Sequence, residues 1–196
     1  MNEHKKTNTS DKIMLAAIDL MAERGYNGVT TQEIADKAGF SEKTLFRHFQ
    51  SKQTLLESAF TRYHYGEEMK DLFAEKITWD LYTDLLMICR SYHRIMYENR
   101  KLIQIIIKVG SNLPELRENT HDHPRQLKVL LTEYFEEMYN KGKIIQTDPE
   151  RKAVAFLYMN YGAAMGRIHN DPILDNISNE AFNEEIVSIF TRTLTP

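Results

Sequence analysis

The stretch GVTTQEIADKAGFSEKTLFRHFQSK, Gly28 to Lys52, spells two short helices joined by a tight turn. Thr30 and Glu33 form a Thr-x-x-Glu capping box, in which the hydroxyl accepts an orphan backbone N–H and the carboxylate reaches back to the cap, so a helix begins near Thr31. Ile34, Ala35 and Ala38 place its apolar side at helical spacing, and Ala35 is small enough for a second helix to cross closely. Gly39 permits the positive-φ turn that ends the helix. Phe40 can bury itself at the corner, and Ser41 is a good N-cap for a second helix from Glu42 to about Phe49. Leu45 and Phe49 then face inward, while Lys43 with Arg47 and Thr44 with His48 make two adjacent outward ridges of donors. Such a face suits a major groove rich in base-edge and phosphate acceptors, as well as the ordinary role of a solvated helix surface.

The order Ile34-Ala35, Ala38-Gly39, Ser41, Thr44-Leu45-Phe46, His48-Phe49, Lys52 resembles the N-terminal domain of the tetracycline-repressor (TetR) family of bacterial transcription regulators. That resemblance implies that Thr31, Thr44, His48 and Lys52 hold phosphates, whereas Gln32, Glu42, Lys43, Thr44 and Arg47 meet base edges. The first set positions and the second specifies. Phe46 departs from the family pattern, which has Tyr there. Without a hydroxyl it cannot donate to a phosphate, although its ring can pack or touch a thymine methyl.

Ahead of this segment, Ile13, Ala17, Leu20 and Met21 recur at helical spacing between Ile13 and Arg24, with Ser10 and Asp11 suited to the start and Gly25 to the end. Tyr26 and Val29 read as core residues of a three-helix head. His4, Lys5 and Lys6 lie in a polar tail that reads either as an arm touching DNA or as a frayed terminus.

With 196 residues, 42% hydrophobic and 27% charged, the chain can bury a substantial core and is not disordered. Its net charge is −3, yet residues 1–52 hold eight Lys and Arg against seven Asp and Glu, so the head leans weakly positive. A nonspecific polyanion binder would be far more basic, which leaves DNA affinity to a few placed contacts and to dimerisation. No apolar run approaches the roughly 18 residues needed to span a bilayer, and no signal-peptide core is present, so a cytoplasmic location is expected. The one cysteine, Cys89, sits among Leu85, Leu86, Met87 and Ile88 and reads as a small buried hydrophobe.

Beyond residue 52 the pattern stays helical, giving an all-α chain: a three-helix helix-turn-helix head at 1–52 and a helical effector-binding and dimerisation domain at 53–196. The expected helices are Thr54 to about Phe73, Trp79–Tyr97, Leu102–Val109, Arg125–Asn140, Pro149–His169 and Asn179–Leu194. Breaks are expected at Gly110–Pro114, His121–Pro124, Gly142–Asp148 and Asn170–Ser178.

Gly162, Ala163, Ala164 and Gly166 form a small-residue surface between aromatics. Together with Tyr158 and Met165, and with Phe182, Ile186, Ile189 and Phe190 on the last helix, they are the candidates for a dimer seam or for a close crossing within the chain. The family resemblance implies the seam, since its members are two-fold dimers joined through their last two long helices. A two-fold protein implies a palindromic operator.

Met69, Phe73, Trp79, Tyr82, Met87, Tyr92, His93, Met96, Met138 and Tyr139 supply aromatics and flexible thioethers that line a cavity for an apolar or aromatic ligand or simply fill the core. The resemblance implies a small-molecule effector whose binding moves the connecting helix and releases DNA.

His121-Asp122-His123, beside Pro124, reads as a polar loop without a third metal ligand, so neither metal nor cofactor is expected. The absence of a Gly-rich phosphate loop, a Gly-x-Ser-x-Gly elbow and a His-Glu-x-x-His run argues against an enzyme. The expected function is a ligand-responsive, homodimeric transcriptional repressor. The alternatives are a ligand-independent DNA-binding protein and a ligand-binding module that has lost DNA affinity, for which Phe46 is the sequence hint.

Overall fold

The computed structural model describes residues 8–63, 66–109 and 114–196, the side chains of 114–122 excepted. The tail with His4, Lys5 and Lys6, and the expected break from Gly110, lie outside the described residues. Among the described residues ten α-helices follow one another: α1 Thr9–Arg24, α2 Thr31–Ala38, α3 Glu42–His48, α4 Lys52–Tyr63, α5 Gly66–Glu75, α6 Leu81–Glu98, α7 Arg100–Val109, α8 Pro114–Asn140, α9 Pro149–Ile168 and α10 Asn179–Leu194. Among the described residues no strand occurs.

The chain divides into two compact units. In the first, Ile13, Ala17 and Met21 of α1 pack with Ile34 and Ala35 of α2 and Leu45 of α3. The same core takes in Leu55, Leu56 and Ala59 of α4 and Leu102, Ile105 and Ile106 of α7. The head's core therefore extends past residue 52, where the sequence reading ends it. Three short helices do not bury enough apolar area alone, and the stripes of α4 and α7 supply the rest. The start of α1 is fixed by Asn8 rather than Ser10. Asn8 Oδ1 accepts from the Asp11 N–H at 2.8 Å, and Asp11 Oδ2 accepts from the Asn8 N–H at 3.3 Å. Asp11 also takes the Arg62 guanidinium at 3.3 Å, tying α1 to α4.

In the second unit α6 packs along α10 and α9. Leu85, Ile88, Cys89 and Tyr92 of α6 are buried, as are Phe156 of α9 and Ile186, Val187 and Phe190 of α10. Phe135 of α8 lies parallel to Phe190, and Phe156 meets Phe190 edge-on at 5.2 Å. Caps mark the starts of the last two helices: Asp148 accepts from Arg151 N–H ahead of Pro149, and Ser178 from Ala181 N–H.

Two expectations change. The break at His121–Pro124 is absent, because α8 runs through Pro124. A proline in a helix interior removes a hydrogen bond and costs about 3 kcal/mol. Burial of Leu127, Leu131, Tyr134, Phe135 and Met138 along the following turns provides the packing that retains the helix. The single helix expected over Thr54 to Phe73 occurs as α4 and α5.

Leu45 is fully buried whereas Phe46 beside it is 47% exposed. Leu45→Ala is expected to destabilise the protein by about 2–5 kcal/mol, and Phe46→Ala to change stability by less than about 0.5 kcal/mol. Urea unfolding followed by circular dichroism distinguishes the two.

Candidate nucleic-acid interface and effector cleft

The helix-turn-helix is held by reciprocal local bonds. Glu33 accepts from the Thr30 N–H at 2.8 Å and from the Arg24 guanidinium at 3.0 Å, and these donors hold its carboxyl down to about 2. Gly39, at φ 79°, lets its own N–H reach the Asp36 carbonyl and the Phe40 N–H reach the Ala35 carbonyl. This paired closure needs a residue free to adopt the left-handed region. Ser41 then accepts from the Thr44 N–H at 3.2 Å and starts α3.

With Leu45 and Phe49 buried, Lys43, Phe46, Arg47 and His48 are exposed on α3, and Thr44 is half-buried. Gln32 is exposed on α2 and donates to Asp36 at 2.8 Å. Thr31 donates to Glu42 at 2.5 Å, joining the start of α2 to the start of α3. Lys52 is half-buried and donates to the carbonyls of Tyr26 at 2.7 Å and Val29 at 2.8 Å, with its ammonium 4.3 Å from the centre of the Tyr26 ring. Burial lowers its pKa. Two of its three N–H groups are therefore engaged inside the head, a structural use that residue type alone does not disclose.

In the second unit a cleft of about 520 Å³ opens between α5, the segment leading into α6, and α8. Phe73, Ile77, Trp79, Leu130 and Tyr134 wall it; Lys70, Glu133, Glu136, Glu137 and Asn140 stand around them. Of the ten residues expected to line a pocket, Phe73 and Trp79 are here. Met69, Tyr92, His93, Met96 and Met138 are buried in the unit's packing, Met87 is half-buried, and Tyr82 and Tyr139 are exposed. Glu133, Tyr134 and Glu137, three and four apart on α8, were not anticipated. The signal available was an acidic and aromatic helical face, which is also how a solvated helix surface reads.

Of the seam candidates, Tyr158, Gly162 and Ile189 are exposed, and Met165, Gly166 and Phe182 are half-buried. Tyr158 packs edge-on to exposed Tyr161, 6.3 Å between ring centres. Ile186 and Phe190 are instead 1% and 4% exposed within their own unit, because the aromatic cluster around Phe135 and Phe156 claims that side of α10. Gly166 serves the chain itself, since a Cβ there would meet Leu174 Cδ1 at 2.8 Å. Gly162 faces open space.

Deeper in this unit, His93 Nε2 lies 3.1 Å from Asn160 Oδ1 while the Asn160 amide donates to the Phe156 carbonyl at 2.9 Å. That arrangement places the proton of the neutral imidazole on Nε2. Burial, with Arg167 nearby, lowers its pKa to about 4, and burial pushes the Cys89 thiol up to about 12, an unreactive state.

Comparison with known proteins now bears on this geometry. Residues 13–59 match the tetR family of bacterial regulatory proteins, and residues 83–193 match the C-terminal domain of AefR-like transcriptional repressors. This chain belongs to the TetR family. It is 29% identical to an uncharacterized HTH-type transcriptional regulator of Bacillus subtilis, YvkB, across 95% of this chain and 97% of that one. Among solved structures it is similar to NalD of Pseudomonas aeruginosa, with a TM-score of 0.74, 18% identity and 95% of each chain covered. It is also similar to Bacillus subtilis FadR in complex with stearoyl-CoA, with a TM-score of 0.69, 19% identity, and 91% and 95% covered. The family, and the relatives matched here, are transcriptional regulators. Among the described residues no helix is long and apolar enough to cross a membrane.

In this TetR-family chain the buried imidazole makes stability depend on pH. The fold accepts neutral His93, so its contribution is whole above the ordinary pKa of 6.5 and is lost as pH falls toward about 4. The loss is on the order of 3 kcal/mol. Urea midpoints measured at pH 7 and pH 4.5 are expected to fall more for the natural protein than for His93→Gln, which has no imidazole to protonate.

Proposed function

We propose that the protein is a homodimeric repressor that grips a palindromic operator through α3 and the start of α2, and releases it when a small hydrophobic or aromatic molecule occupies its second unit. The observation that carries this reading is the split of α3 into a pinned inner side, Leu45 and Phe49, and an exposed side of Lys43, Phe46, Arg47 and His48. A helix presented in this way fits a major groove, with Lys43, Thr44 and Arg47 reaching base edges along with Gln32 and Glu42 from the helix starts. Thr31, Thr44, His48 and the remaining N–H of Lys52 position the head on phosphates.

Exposed Tyr158, Tyr161, Gly162 and Ile189 support pairing of two copies through α9 and α10. A two-fold pair reads two half-sites about one DNA turn, or a multiple of it, apart. The aromatic cleft beside α5 supports a small-molecule effector, and so does the solved complex of FadR with stearoyl-CoA. NalD, described as the secondary repressor of a multidrug efflux pump, supports the sign of the regulation. An effector acts by favouring the arrangement of the two heads that cannot span both half-sites.

The test starts from a duplex selected out of a random pool, with binding followed by fluorescence anisotropy at a stated salt concentration. Lys43→Ala and Arg47→Ala are each expected to lose about 1–3 kcal/mol of specific binding with the melting temperature unchanged. An unaltered sequence preference would remove the base-contact assignment. Phe46→Tyr restores a hydroxyl donor on an exposed ring, and is expected to tighten binding to all sequences alike by about 0.5–1.5 kcal/mol.

A further inference from the structure

We propose that the cleft beside α5 binds a small organic cation with an aromatic or apolar body, its charge seated between the Trp79 face and Glu137. This deepens the effector reading above and rests on it for any consequence at DNA.

Four observations point the same way. The Trp79 and Tyr134 rings are nearly parallel, 12° apart with centres separated by 6.0 Å, and form one continuous aromatic wall. Behind that wall Asp84 is fully buried, and its carboxylate is held by uncharged donors: the Thr78 N–H at 2.8 Å, the Thr78 hydroxyl at 2.7 Å and the Tyr134 hydroxyl at 3.1 Å. The wall is thus backed by a buried acidic side chain whose three donors here carry no positive charge. In front of it Glu133, Glu136 and Glu137 outnumber Lys70 among the lining residues.

The fourth observation fixes where a cation sits. Lys141 already places its ammonium 4.7 Å from the centre of the Trp79 ring and 2.8 Å from Glu137 Oε1. Its side chain is at the exposed end of α8 and is free to swing away into water. The protein's own cation therefore occupies the position that a ligand cation takes, bound by ring face and carboxylate together. A bare ammonium gains little from such a place, since water competes for it. A cation attached to an apolar body also covers Phe73, Ile77 and Leu130, and its charge is then partly desolvated, where attraction to the ring face is stronger. The volume, about 520 Å³, lies within the range of small-molecule sites.

Trp79 is the single tryptophan of the chain, so its emission reports on the cleft directly. The full-length protein is titrated with tetraphenylphosphonium and, separately, with tetraphenylborate, which has nearly the same size and shape and the opposite charge. The expected result is a saturable change with the phosphonium and binding at least about tenfold weaker with the borate. Glu137→Gln is expected to weaken the phosphonium by about tenfold, and Lys141→Met, which removes the competing ammonium, to tighten it several-fold. Equal or tighter binding of the borate, weaker phosphonium binding by Lys141→Met, or no binding of the phosphonium by fluorescence and by equilibrium dialysis overturns the proposal. Release of the selected duplex is measured in parallel. Phosphonium binding without release leaves the cleft's preference standing and removes its regulatory role, whereas release by other compounds with no phosphonium binding removes the preference and leaves the repressor reading.

Discussion

A seven-residue helix cannot hold itself together in water, because nucleation costs more than so few hydrogen bonds return. Everything this chain offers to DNA nevertheless stands on such a helix, α3. Its existence depends on the burial of Leu45 and Phe49 against α1, α2 and α4, with the Ser41 cap at one end and the Gly39 turn just before it. The extension of that core into α4 and α7 follows from the same need. Two helices of eight and seven residues bury too little apolar surface to pin each other, so longer neighbours contribute Leu55, Leu56, Leu102 and Ile105.

Local chemistry explains why the head was legible from its residues. The Thr30–Glu33 box, the Gly39 turn and the Ser41 cap are each written within a span of four residues, and each forms between the predicted partners. What the sequence could not disclose are the long-range uses of the same side chains. The family resemblance implies a phosphate ligand at Lys52, but its ammonium reaches back 26 residues to the Tyr26 carbonyl. Asp19 likewise meets Lys101 from α7, 82 residues away, and lies 3.9 Å from Lys37. No local pattern signals either contact.

The second unit was harder to read for a related reason. Its helices share apolar residues on more than one side, so periodicity gives a helix but not which neighbour each side meets. Ile186 and Phe190 fit a seam by spacing and were drawn inward by Phe135 and Phe156. Pro124 reads as a break by every local rule, yet the buried stripe that follows it keeps α8 continuous. The cleft is assembled from two segments more than fifty residues apart in sequence, Lys70 to Trp79 and Leu130 to Asn140. Its aromatic members were visible one at a time, and their company was not.

The backbone of Trp79, at φ 62°, costs about 1–2 kcal/mol that a glycine would not incur. Its ring returns about 0.5–1.5 kcal/mol through the parallel contact with Tyr134 and about 0.5–1 kcal/mol through Lys141. The ring contacts nearly offset the backbone strain, which leaves the apolar burial of the half-buried indole as the net gain. A tyrosine or phenylalanine at this position supplies much of that burial, so selection for stability alone does not single out an indole. Retention of an indole there across divergent relatives would measure something other than folding, and the variability of this one column becomes a historical record of whether the cleft has been in use.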